Sequence, residues 1–172
     1  MAEKTALLVI EMQNDMLWDR RKEKFTYDTE TLTAAVNDAI AEYSAAGCDV
    51  IYIAQIYPDT PSNHIIFGFQ IEGTEGAKLY EKLDVVSELY FEKNYSDVYM
   101  AEEFRAFMAA QGYSRVVLCG LDECACIAAT AKAALQTGAA VCILTAATAT
   151  RFDAGKRAKT RAELKRLGAV YL

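Results

Sequence analysis

Four times along the chain, a helix-like stretch ends in a glycine and a hydrophobic run follows within a few residues. The four are GCDVIYIAQ from Gly47, GYSRVVLCG from Gly112, GAAVCILTA from Gly138 and GAVYL from Gly168. Glycine just past a helix end takes the left-handed conformation cheaply, so it is the natural stop signal there. The runs that follow are apolar at successive positions rather than at alternate ones, as in a parallel sheet buried on both faces. The intervening segments fit helices. Leu32, Val36, Ala39, Ile40 and Tyr43 recur at helical spacing, as do Phe104, Phe107 and Met108, and Asp153 can cap a last helix running to Leu167. Adding TALLVIEM and SELYFEKN gives about six strands alternating with about five helices. The expectation is an α/β, three-layer sandwich: an open, mainly parallel six-stranded sheet with helices on both faces, as one domain over residues 1–172.

Composition narrows the function classes. The chain has 172 residues, 53% of them hydrophobic, which fills a substantial core and excludes disorder. No stretch approaches the ~18 uninterrupted apolar residues of a membrane span, and the first residues lack a secretory cleavage site. The formal net charge of −6 argues against a nucleic-acid surface. The five cysteines are odd in number, so reduced thiols and a cytoplasmic location are expected rather than a disulfide framework. Pro58 and Pro61 both fall in QIYPDTPSNH, which reads as a long loop after the second strand.

In open α/β sheets, ligands bind beyond the carboxyl ends of the strands, where strand order reverses. The polar residues at those ends are Glu11 and Gln13, then Gln55, then Lys93, then Gly120 to Cys126, then Thr148 and Arg151. One carboxylate, one lysine and one cysteine thus reach the same rim from three strands. Cys126 falls in the first turn of the helix that opens CIAATAKAAL. Unpaired N–H groups and a positive partial charge there lower a thiol's pKa, as does a nearby lysine, and the same N–H groups can hold an oxyanion. Read alone, Cys126 fits a small core residue as well. Lys93 fits a solvated strand end, Gln13 and Asp15 fit local loop bonds, and His64 fits a loop residue. Trp18, Tyr57, Phe67 and Tyr95 fit either pocket walls or packing. Cys124 lies on a different helical face from Cys126.

Taken together, these segments resemble the isochorismatase-like cysteine hydrolases, which include nicotinamidases, carbamoyl-amide hydrolases and isochorismatases. ALLVIEMQNDML resembles the family's first-strand element ending D-M-Q-N-D-F. FGFQIEGTEGAKLYEKL resembles G-T-x-G-x-E-L, FEKNYSDVY resembles K-x-x-Y-S-A-F, and CGLDECACIAATA resembles G-x-x-T-[DE]-x-C-V-x-x-T-A. The four occur in the family's order and span most of the chain. The resemblance implies Cys126 as nucleophile, Lys93 as the cation beside it and Glu11 in the acid/base position. It implies a non-proline cis peptide between Leu121 and Asp122, and an oxyanion hole from the backbone N–H groups of Asp122 and Cys126. Gln13, Trp18, Gln55 and Tyr95 are the expected substrate-binding residues. The expected partners are a small-molecule substrate and further copies of the chain in a homo-oligomer, with no cofactor, nucleic acid or membrane.

Two departures matter. Glu11 stands where the family has aspartate, and an extra methylene moves the carboxylate far enough to cost ~100-fold in rate if nothing else adjusts. An inactive family member serving as a scaffold is therefore the competing reading. The nicotinamidase metal element D-W-H-P-x-x-H is replaced by QIYPDTPSNH, and His64 is the only histidine, so no metal is expected. Isochorismatases proper lack the cysteine, so Cys126 points to amide or carbamoyl chemistry. A nucleotide-binding α/β domain is disfavoured, because EMQND stands where a glycine-rich phosphate loop would be.

Overall fold

A computed structural model describes residues 3–172; the reading of the extreme N-terminus falls partly on Met1 and Ala2, which lie outside them. The elements follow in order as β1 (Thr5–Ile10), α1 (Asn14–Leu17), α2 (Thr29–Ala45), β2 (Asp49–Gln55), α3 (Pro61–Ile66), β3 (Tyr90–Lys93), α4 (Glu102–Gln111), β4 (Arg115–Gly120), α5 (Ala128–Gln136), β5 (Ala140–Thr148), α6 (Ala154–Leu167) and β6 (Val170–Tyr171). A wide helical turn, Glu123–Ile127, leads into α5. The six strands form one parallel sheet in the order β3-β2-β1-β4-β5-β6. The order reverses between β1 and β4, and that is where such sheets open a crevice at their carboxyl edge. No helix is long and apolar enough to cross a membrane.

Successive strand residues face opposite sides, and both sides are dry. Ala6, Leu8 and Ile10 of β1 pack with Ile51, Ile53, Val116, Leu118, Val141 and Ile143 under Phe104 and Met108 of α4 and Ala131 and Ala134 of α5. Leu7 and Val9 pack with Val50, Tyr52, Val117 and Cys119 under Leu32, Val36 and Ile40 of α2. This two-sided burial is why the strands read as continuous apolar runs. The helix limits follow from local chemistry. Asp28 caps α2 by accepting from Thr31 N, and Asp153 caps α6 by accepting from Lys156 N. Gly47, Gly112, Gly138 and Gly168 all adopt positive φ at the helix-to-strand junctions.

The segment expected to be a plain loop after β2 contains α3. Thr60 caps it by accepting from Asn63 N, and Pro61 occupies its first turn. Proline at that position removes no helical hydrogen bond, so the sequence that suggested a loop is also a helix start.

Gly120 brings the two halves of the crevice together. Its φ is +102°, and a Cβ placed there would lie 2.1 Å from the Ile10 carbonyl oxygen. The next residue, Leu121, donates its N–H to that same oxygen at 2.9 Å. Gly120→Ala therefore pushes β4 away from β1 at the residue before Glu11. The expected cost is at least about 2 kcal/mol, from the clash and the left-handed backbone. It should appear as a lower urea midpoint at unchanged slope; an unaltered midpoint would show that β4 has room to spare.

Candidate active site

Glu11 follows β1, with φ +54°, and its backbone N–H donates to Ile53 O at 2.8 Å. A left-handed non-glycine residue is uncommon, and here it marks the point where β1 ends and its next side chain enters the crevice. Lys93 is the last residue of β3 and is 3% exposed. Its ammonium donates to Glu11 Oε1 at 2.6 Å, Gln55 Oε1 at 2.7 Å and the Tyr95 carbonyl at 3.0 Å, and lies 3.4 Å from Cys126 Sγ. The Glu11 carboxylate therefore meets the thiol through the ammonium that both share. Glutamate's extra methylene is accommodated to that extent: the carboxylate reaches the lysine that lies beside the thiol.

Cys126 sits in the wide turn that opens at Asp122. Ile127 N donates back to Asp122 O at 3.1 Å, five residues away, and Ala125 N to the same oxygen at 3.0 Å. The Asp122 carboxylate is spent within the turn, accepting from Cys124 N, Thr150 Oγ1 and Arg151 N at 2.7–2.9 Å. Burial lifts the Asp122 carboxyl above its ordinary range, and those hydrogen bonds hold the rise back. The Leu121–Asp122 peptide is cis. Among the described residues, the backbone N–H groups of Asp122 and Cys126 donate to no backbone oxygen outside the helices and strands. Glu123, fully buried in the same turn, is clamped by Nε of Arg157 and of Arg161, each at 2.6 Å.

The thiol's electrostatics differ from the sequence expectation. Burial pushes the Cys126 thiol up, and the Glu11 carboxylate adds to the rise, while Lys93 opposes both. Burial also pulls the Lys93 ammonium down, but Glu11 and Cys126 outweigh that and hold it above its ordinary range. Burial and the carboxylate thus favour the protonated thiol, and the lysine opposes them. The sequence shows a helix start and a lysine; it does not show that the thiol is 9% exposed and shares the lysine with a carboxylate.

A cavity of about 420 Å³ opens over these groups, lined among others by Glu11, Gln55, Gln70, Tyr95, Asp122 and Cys126. Its aromatic walls are Phe25, Tyr57, Phe67 and Phe69, with Tyr57 and Phe67 stacked at 3.8 Å. A larger cleft, about 540 Å³, lies between α4 and α5, and its lining carries no cysteine, serine or lysine. Of the expected substrate-binding residues, Gln55 and Tyr95 line the cavity, and Gln13 and Trp18 do not. Gln13 is fully buried and saturated: Nε2 donates to Gln55 O and Ala77 O, and Oε1 accepts from Gln55 N and Gln70 Nε2. It braces β2 against the 70–77 loop. Trp18 packs under Arg20, 3.7 Å from its ring centroid, beside a separate surface depression. Lys24, Phe25, Phe69 and Gln70 also line the cavity and went unread, because they lie between elements and carry no periodic or terminal signal.

The isochorismatase domain pattern matches residues 5–171, and the chain belongs to that family. Similar solved structures include a pyrazinamidase of Pyrococcus horikoshii in complex with zinc, with a TM-score of 0.85 at 20% identity, covering 98% of each chain. An N-carbamoylsarcosine amidase of Thermoplasma acidophilum gives 0.80 at 24% identity, covering 98% of this chain and 95% of that one. A nicotinamidase of Bacillus subtilis gives 0.83 at 19% identity, covering 97% and 98%. No curated protein matches significantly. The residues here do not fit a zinc site. Among the described residues no three His, Cys, Asp or Glu side chains converge suitably, and His64 lies at the surface with Nε2 2.7 Å from Asp59 Oδ1.

The charge balance gives a signed prediction. Glu11→Gln removes a carboxylate that raises the thiol and leaves Lys93, which lowers it. The pH midpoint of Cys126 alkylation should fall by about one unit or more, followed by peptide mapping. A midpoint that rises instead would mean that Glu11 does not act on this thiol.

Proposed function

We propose that this chain is one hydrolase domain over its 172 residues, cleaving the C–N bond of a small amide or carbamoyl compound through a thioester on Cys126. The observation that carries the reading is the convergence of Glu11 and Cys126 on the Lys93 ammonium, at 2.6 and 3.4 Å, delivered separately by the residue after β1, the turn after β4 and the end of β3. Family membership and the amidases among the structural neighbours support the reaction class.

The steps follow from the geometry. Glu11 takes the proton from Cys126 Sγ as the sulfur attacks the substrate carbonyl, and Lys93 stabilises the thiolate as it forms. The backbone N–H groups of Asp122 and Cys126 donate to the oxyanion. Glu11 returns the proton to the leaving nitrogen, the C–N bond breaks, and a thioester remains. Water, deprotonated by Glu11, then attacks the thioester carbonyl and regenerates the thiol. Gln55, held by Lys93, and Tyr95 at the mouth would orient the substrate.

Two further features of this reading have physical support. Five free thiols suit a reducing, cytoplasmic setting. Exposed Ile65 and Ile66 on α3, and exposed Tyr95 at the cavity, suit association of copies of this chain. Sedimentation velocity would test the latter.

Cys126→Ala should abolish ammonia release from a panel of small amides, and Lys93→Met should lower it at least about 100-fold. Glu11→Asp should also lower it, about tenfold or more, because the shorter side chain withdraws from both Lys93 and the thiol. Full turnover by Cys126→Ala would end the hydrolase reading. A gain in Glu11→Asp would mark glutamate as an impaired base and favour the scaffold reading.

A further inference from the structure

The walls of the catalytic cavity divide by charge. At the floor Glu11 is paired with Lys93, while the Asp122 carboxylate accepts from Thr150 and two backbone N–H groups and feels the Arg151 charge without an ion pair to it. At the mouth stand two cations. Lys24, between α1 and α2, and Arg151, just past β5, both line the cavity. Among the described residues, neither lies within ion-pairing distance of a carboxylate. Rings lie against both. Lys24 Nζ is 4.6 Å from the Phe69 centroid, and the Arg151 guanidinium is 4.3 Å from that of Phe152. The two cations also sense each other: burial first, then Arg151, then Lys22 hold the Lys24 ammonium below its ordinary range. Like charges lining one cavity without an ion pair repel each other, and an anionic ligand between them relieves that repulsion.

Gln55 supplies a second, independent observation. It is 3% exposed, and Lys93 Nζ fixes its Oε1 as the acceptor end at 2.7 Å. Its Nε2 is therefore the donor end, and that atom is buried without a partner in the cavity lining. A buried donor without an acceptor is costly, so the site lacks an acceptor at the floor as well as an anion at the mouth. Between the two run the aromatic walls.

We propose that the substrate is a small amide or carbamoyl compound bearing a carboxylate, with that carboxylate seated between Lys24 and Arg151 while Gln55 Nε2 donates to a polar atom near the scissile group. The proposal deepens the hydrolase reading and rests on it. The charge pattern also bears on release. Hydrolysis of an amide consumes one water, frees the amine and leaves a second carboxylate beside Glu11, so the product meets a repulsion at the floor that the substrate does not.

The test uses succinamate and succinamide, which differ by one carboxylate replaced with a carboxamide. Wild type should release ammonia from succinamate with kcat/KM about tenfold or more above that for succinamide, per amide group. Added salt should narrow the ratio. Lys24→Gln and Arg151→Gln should each lower it, chiefly through KM. A ratio near one, or one that neither variant moves, overturns the proposal. Calorimetric binding of both probes to Cys126→Ala reads the subsite without chemistry: tighter succinamate supports it, and equal or absent binding of the two overturns it. Turnover without anion preference would leave the hydrolase reading standing and this one failed. Anion preference in binding without turnover of either probe would do the reverse.

Discussion

One ammonium ties together the carboxyl ends of four neighbouring segments. Lys93 is the last residue of β3, and it takes Gln55 from the end of β2, Glu11 from beyond β1 and Cys126 from the turn after β4. Burying a lysine and a glutamate costs several kcal/mol per ion before any partner is counted. The cost is met only because the lysine's donors all find acceptors, with the Tyr95 carbonyl as a further one. Each acceptor depends on sheet order. Were β3 paired anywhere but beside β2, the lysine would not reach, and the carboxylate would be stranded. Losing one member of such a pair typically costs about 3–5 kcal/mol, so fold and site are coupled here.

The same arrangement bears on the thiol. A helix start and a lysine favour thiolate, but burial first, and then the carboxylate that shares the lysine, push the thiol the other way. The polarity of the cavity continues this logic outward. An ion pair lies deep, flat aromatic walls lie between, and two cations lie at the rim.

Much of this was legible in the sequence. The sheet was readable because both faces of every inner strand are covered, which leaves unbroken runs such as VIYIA and RVVLC. The convergence of Glu11, Lys93 and Cys126 was readable because strand ends are fixed by those runs, which bring the three to one rim. The sheet order was not, since pairing depends on crossovers that leave no local mark. That Gln13 stays out of the cavity was not readable, because its neighbours in sequence end a strand at the rim, while its own side chain turns inward to hold the 70–77 loop. Trp18 is similar: an aromatic near the rim packs with Arg20 instead. Lys24 and Gln70 reach the cavity through loop geometry, and loops carry little pattern to read.

The clamp on Glu123 has a consequence for how this molecule comes apart. Only Thr160 and Leu164 of α6 are buried, so apolar packing alone holds that helix weakly to the body. Its firmer attachment is the pair of guanidinium groups of Arg157 and Arg161 on a fully buried carboxylate three residues before Cys126. If α6 peels away, that carboxylate loses both partners inside a dry turn, and the turn must open to hydrate it. The C-terminal helix and the sulfur's backbone therefore belong to one cooperative opening unit. Fraying at the end of the chain and exposure of the thiol are a single event, and amide exchange along α6 would keep time with accessibility at Cys126.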